Sequence, residues 1–150
     1  MQRLETIAPD ISRLLDRLSA QQLRRISTSV CKAVVGQVRL HESTVNEALV
    51  ALKNSDPIPL PLREAAVALA ERLDTTYFDL QDAADEGRAT QAQVLDAFSQ
   101  ARAASAVATA LSGFDANTAK EVIYEAAAAT DNLTELENLI DATLQSANNA

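Results

Sequence analysis

The chain has 150 residues, of which 29 are Ala against three Gly, one His, one Cys and no Trp, and its formal net charge is −8. That length is enough for one domain with a single sizeable core, and Ala in such excess over Gly favours helix from end to end. One His and one Cys leave too little for most metal sites or catalytic triads, a lone thiol forms no internal disulfide, and no stretch reaches the ~20 apolar residues of a membrane span.

In chain order, the opening Met1 to Thr6 lacks a basic region followed by an apolar run, so it does not read as a signal peptide. With the single Cys31, this makes the cytoplasm the expected compartment. Asp10, after Pro9, is placed to cap a short helix over roughly 11–18. Ser19 with Gln22 has capping-box spacing and opens a helix to about residue 39, with Leu23, Ile26, Val30, Val34 and Val38 at helical intervals. Cys31 lies beside that stripe and reads as a buried, inert thiol. Arg24, Arg25, Lys32 and Arg39 read as a solvated face, free also to meet acidic surface. His41 falls between helices, where an exposed or capping role is expected. Ser43 or Thr44 starts a helix to about Lys53 that buries Val45, Leu49 and Leu52.

Asp56-Pro57-Ile58-Pro59-Leu60-Pro61 is the clear break, a stiff, extended connector. It coincides with a change of charge: residues 1–56 carry eight Lys/Arg and six Asp/Glu, residues 57–150 five and fifteen. The expected organisation is one domain, 1–150, with an N-terminal subregion 1–56 and an acidic C-terminal subregion 62–146 joined by 57–61. The longest helix runs over about 62–86 and ends at Gly87. Thr90 and Gln93 cap the next, through Ser112 to Gly113; Asp115 caps a helix over about 116–129. Thr134 with Glu137 marks a last helix over about 135–146, with Asn132 as a competing cap, and Ser-Ala-Asn-Asn-Ala frays at the end. Short connections make neighbours antiparallel. The expected fold is all-α, about seven helices in an irregular antiparallel bundle or a HEAT-like stack of helical pairs.

One site-like pattern stands out. On the long helix Leu62, Ala66, Leu69, Leu73, Tyr77, Leu80 and Ala84 share one face, the expected core face. Opposite them Glu71, Asp74, Asp82 and Asp85 line up with Phe78 among them and Val67 nearby. An aromatic side chain within a carboxylate stripe suits a basic partner with an apolar anchor; the competing reading packs Phe78 and Val67 beneath a neighbouring helix. Tyr124 is expected in the core with its hydroxyl at the edge. Ala97, Ala101, Ala104 and Ala108, with Ser105 nearby, form a small-residue strip suited to close helix packing or to a homodimer seam.

Other chemistry finds little support. A di-iron bundle needs Glu and His three residues apart on two helices, and the single histidine, His41, lies in a turn. Asp82 to Gly87 lacks the alternating ligands of a calcium loop, and Gly36, Gly87 and Gly113 are too far apart to make a phosphate-binding loop. No metal or cofactor is expected. The acidic balance repels nucleic acid and anionic membrane and favours a basic protein partner. The expectation is a non-enzymatic protein-interaction module contacting its partner through Glu71, Asp74, Phe78, Asp82 and Asp85. In composition alone it resembles bacterial immunity and antitoxin proteins. The alternative is a small-molecule-binding regulatory domain with an apolar pocket between helices.

Overall fold

The computed structural model describes residues 3–54 and 57–148, and every regular element among them is an α-helix. In order these are α1 (Arg3–Ile7), α2 (Pro9–Leu15), α3 (Ala20–Val38), α4 (Ser43–Lys53), α5 (Leu60–Asp85), α6 (Gln91–Ser112), α7 (Ala116–Thr130) and α8 (Leu133–Asn148). The chain is an all-α helical bundle, with eight helices among the described residues where about seven were expected. Met1 and Gln2 of the opening segment, Asp56 of the connector, and Asn149 and Ala150 of the expected frayed end lie outside the described residues.

The capping residues explain most boundaries. Ser19 and Gln22 form a reciprocal capping box, with Ser19 Oγ accepting from the Gln22 N–H at 3.2 Å and Gln22 Oε1 from the Ser19 N–H at 2.9 Å. Thr90 and Gln93 do the same at 3.1 and 2.8 Å. Asp115 accepts from the Thr118 N–H at 2.8 Å. Gly87 takes the left-handed conformation at φ 76°, which lets the Arg88 N–H reach Ala83 O at 2.7 Å and the Gly87 N–H reach Ala84 O at 3.0 Å.

Three boundaries differ from expectation. The N-terminal segment makes two helices, with Ala8 rather than Asp10 at the N-cap of α2, because Pro9 is pre-set for a first helical position. Asp10 instead pairs with Arg13 inside the first turn. Likewise α5 begins at Leu60 and takes Pro61 into its first turn, where the missing N–H costs nothing. Asn132 prevails over Thr134 as the cap of α8, since its Oδ1 accepts from the Glu135 N–H at 3.1 Å and its amide donates back to the Glu135 carboxylate.

The second half of α6 is the centre of the molecule. Ala101, Ala103, Ala104, Ala106, Val107, Ala110 and Leu111 are buried, and α3, α4, α5 and α7 pack around them. Such side chains on every side of a helix let several helices approach closely. The expected strip is part of this surface: Ala101 and Ala104 are buried, Ala97, Ser105 and Ala108 half-buried. Around it α3 contributes Leu23, Ile26, Val30 and Val34, α7 contributes Val122 and Ile123, and α8 seats Leu136 and Ile140.

Cys31 is fully buried, its Sγ 3.7 Å from Ala106 O, and burial pushes its thiol up to about 12. Arg24 departs from its expected solvated role. It is half-buried, donates to Ala51 O at 2.8 Å and Leu52 O at 3.1 Å, and lies 4.3 Å from the Phe114 ring centroid. It thereby satisfies carbonyls at the end of α4 that no helical N–H reaches.

The short α1 and α2 lie against α7. Leu4, Ala8, Ile11 and Leu15 are buried there, and Lys120 of α7, itself buried, pairs with Asp16 at 2.8 Å and Glu5 at 3.8 Å.

Candidate functional site

α5 and α6 form an antiparallel pair: Asp74 meets Arg102 and Tyr77 meets Phe98, so one helix recedes as the other advances. With 26 residues α5 is about 39 Å long, whereas the 15 residues of α7 span about 22 Å. Glu125 of α7 pairs with Arg102, which places the end of α7 near Phe98. Beyond that point α5 and α6 continue as a two-helix arm. Two helices alone enclose only the seam between them, and the exposures follow. In α5 only Ala66, Leu69 and Ala70 are buried; Leu62, Leu73, Tyr77, Leu80 and Ala84 of the expected core face are half-buried.

An open groove of about 350 Å³ lies at the root of the arm, between α5 and α7. Asp74, Tyr77 and Phe78 line it from α5, Phe98 and Arg102 from α6, and Tyr124, Glu125 and Ala128 from α7. Arg3 of α1 lines it as well. Four of the chain's five aromatic residues therefore meet here. Tyr77 is at the centre, its ring 5.2 Å from that of Phe78 and 5.3 Å, edge-on, from that of Phe98.

A ladder of alternating charge runs along the groove. Glu125, buried, accepts from Arg3 Nη2 and from Arg102 Nη1, each at 2.8 Å. Arg3 also donates to Glu121, and Arg102 to Asp74. The guanidinium of Arg3 sits 4.2 Å from the Tyr124 ring centroid, and that of Arg102 sits 6.0 Å from Phe98. The hydrogen bond to Glu121 raises the Arg3 pKa; it and the bond to Glu125 outweigh partial burial. For Arg102 burial opposes the charge, but the hydrogen bond to Asp74 and the charges of Glu125 and Asp74 prevail and hold its pKa above the usual arginine value. The ladder ties α1, α5, α6 and α7 together and leaves Glu125 fully satisfied.

The expected site residues separate into two sets. Phe78 is 58% exposed and lines the groove, so it is not packed beneath a neighbouring helix; Val67, 47% exposed, is also uncovered. Asp82 and Asp85 are exposed on the arm, four and seven residues beyond Phe78 on the same side of α5. Glu71 is exposed toward the body end. Asp74 is different: it is half-buried and engaged by Arg102, so its charge is already compensated.

Sequence periodicity did not reveal Arg3, Phe98, Arg102, Tyr124 or Glu125 as neighbours of Phe78. They come from three other helices, and no local pattern records that convergence. Leu95 was missed as well. It is 64% exposed and lies three residues before Phe98 on the same side of α6. Asp79, Glu86 and Asp96 add to the charge, so that residues 71–97 carry seven Asp/Glu against two Arg.

His41 is exposed between α3 and α4. Among the described residues no group of His, Cys, Asp and Glu is arranged to hold a metal ion, and no helix is long and apolar enough to cross a membrane. A second groove, about 460 Å³ and largely apolar, lies between α4 and the connector, lined by Val50, Ala51, Pro57 and Pro59. No protein-family model matches the chain, and no curated protein sequence or solved structure matches it either. What fold and groove define together is an all-α chain with an acidic two-helix arm and an aromatic groove at its root.

Proposed function

We propose that the chain is a non-enzymatic protein-interaction module that binds a basic partner through the arm, with Phe78 as the apolar anchor and Asp82 and Asp85 as flanking charges. The observation that carries this reading is the exposure of Phe78 at an aromatic groove beside carboxylates that no described cation neutralises. Central aromatic anchors supply much of the affinity of protein interfaces, while surrounding charge steers association and selects partners of opposite sign. Glu71 extends the acidic surface toward the body. Asp74 acts indirectly, by holding Arg102 in place. An inhibitor of a basic toxin or nuclease is one form of such a module, in keeping with the small, acidic, helical character of the chain.

The test is photo-crosslinking in the source cells. A benzophenone side chain at position 78 should capture a basic protein, and Asp82→Lys with Asp85→Lys should abolish the capture. The same probe at position 50, on the far groove, serves as the reference. Identical products from positions 78 and 50 would sink the reading. The apolar groove at Val50 supports the second reading, a small-molecule-binding regulatory domain. A ligand-dependent rise in melting temperature that Val50→Asp removes would favour it.

A further inference from the structure

The arm lacks a third wall. α7 packs on α6 and faces α5 across the groove through Tyr124, Glu125 and Ala128; it ends at Thr130, and the chain turns away into α8, which packs on α3. Past that point one ledge continues, with Phe78, Asp82 and Asp85 along α5 and Leu95 and Phe98 along α6. From Phe78 to Asp85 the ledge advances about 10 Å, two turns of helix. It sets Phe78 in line with carboxylates along α5 and faces them with Leu95 and Phe98 along α6. Of the other exposed large apolar residues, Ile7 and Val50 lie on other helices, and Leu60 and Val67 lie on α5 nearer its N-terminus, outside the arm.

We infer that the ledge receives a short amphipathic helix of the basic partner, which lies where α7 would have continued and completes a three-helix layer over the arm. This deepens the reading above and rests on it. A third helix would cover apolar surface that a pair of helices leaves exposed. A seated helix would place apolar residues three or four apart over Phe78, Phe98 and Leu95, and Lys or Arg beside Asp82 and Asp85. The groove already shows how it accommodates guanidinium groups, with Arg3 over Tyr124 and Arg102 near Phe98. A helix is favoured over an extended basic strand because the ledge is made of side chains alone. Both arm helices satisfy their own backbone groups and offer no free edge for a strand to pair with.

The experiment uses the full chain and a fluorescent, side-chain-stapled peptide of about 12 residues, with leucines four apart and Lys or Arg elsewhere. Its comparison is an unstapled peptide of the same composition interrupted by proline. Fluorescence anisotropy at about 50 and about 300 mM salt reads the affinity. The stapled helix should bind at least about tenfold more tightly than the proline peptide, and Phe78→Ala and Leu95→Ala should each weaken it about tenfold. Equal binding of both peptides overturns the helical occupant yet leaves the basic-partner reading standing. Binding of neither overturns both. Sedimentation of the peptide-free chain guards the assignment: a self-associated species that Phe78→Ala dissociates would make a second copy the occupant and overturn the inference. Circular dichroism of each variant, unchanged from wild type, confirms that a lost affinity belongs to the ledge and not to unfolding.

Discussion

The two halves of α6 run along one axis through opposite surroundings. Between residues 101 and 111 seven side chains are buried, whereas between 91 and 100 only Val94 is. In the body half, four helices converge, and Ala suffices because most of its methyls meet a neighbouring helix. In the arm half only α5 is close, so Tyr77 and Phe98 meet at the seam half-buried, and Phe78 and Leu95 stay exposed. Packing density, not residue size, decides which half is core. The arm thus leaves part of its apolar surface uncovered.

The largest expected effects lie in the body. Ile123 is fully buried, so Ile123→Ala should destabilise the chain by about 2–5 kcal/mol in a denaturant melt. Leu80 on the arm is half-buried, and Leu80→Ala should cost only about 1 kcal/mol. Equal losses at the two positions would break the distinction between body and arm.

The joint between the two regions comes next. Glu125→Ala deprives Arg3 and Arg102 of a shared buried partner. The loss should be about 2–3 kcal/mol, below the ~3–5 kcal/mol of a fully buried pair because Arg3 is half open to water. Hydrogen exchange should show α1 loosening along with the root of α5. If only α7 amides changed, the ladder would not join the helices as described.

Cys31 reports on the body through pH. Its folded thiol titrates near 12 because of burial, above its ordinary value of about 9. Above pH 9 the unfolded thiol loses its proton while the folded one keeps it, so the unfolded state binds fewer protons and stability falls as pH rises. The contribution is intact below about 9 and is lost progressively toward 12, at up to about 1.4 kcal/mol per pH unit. Comparing melts at pH 8 and pH 10 for wild type and Cys31→Val isolates it; the same slope in both would show that the thiol is not held in the core.

How far the sequence could be read follows this same division. The capping pairs Ser19–Gln22 and Thr90–Gln93, the cap at Asp115 and the stop at Gly87 are local chemistry, and they lie where the residues said they would. The N-terminus was harder, because Pro9 starts a helix as readily as Asp10 caps one. The core face of α5 was right in direction and too generous in depth: helical periodicity says which side turns inward, not how many neighbours wait there. Periodicity leaves open whether a neighbouring helix covers Phe78, but its alignment with the carboxylates on one face of α5 was legible for the same reason. Its surroundings were not. Arg3 and Glu125 are separated by 122 positions and meet only through the docking of α1 on α7, a tertiary event with no periodic trace.

The smallest expected effect is also the one that bears most on function. Phe78→Ala removes a ring that is 58% exposed and touches Tyr77 at 5.2 Å. The lost aromatic contact and partial burial cost about 1 kcal/mol, and the better helix propensity of Ala returns roughly half of that. The net change in stability should stay below about 1 kcal/mol, with an unchanged melting cooperativity. Against a basic partner the same substitution should cost about 2 kcal/mol or more of binding free energy, since a central aromatic anchor acts on affinity and not on the fold. Asp82→Lys should leave the melt alone as well, and chiefly slow association while flattening its salt dependence. A Phe78→Ala protein destabilised by about 3 kcal/mol, the range of a vacated core position, would mean that the arm is closed in solution and that Phe78 belongs to the body after all.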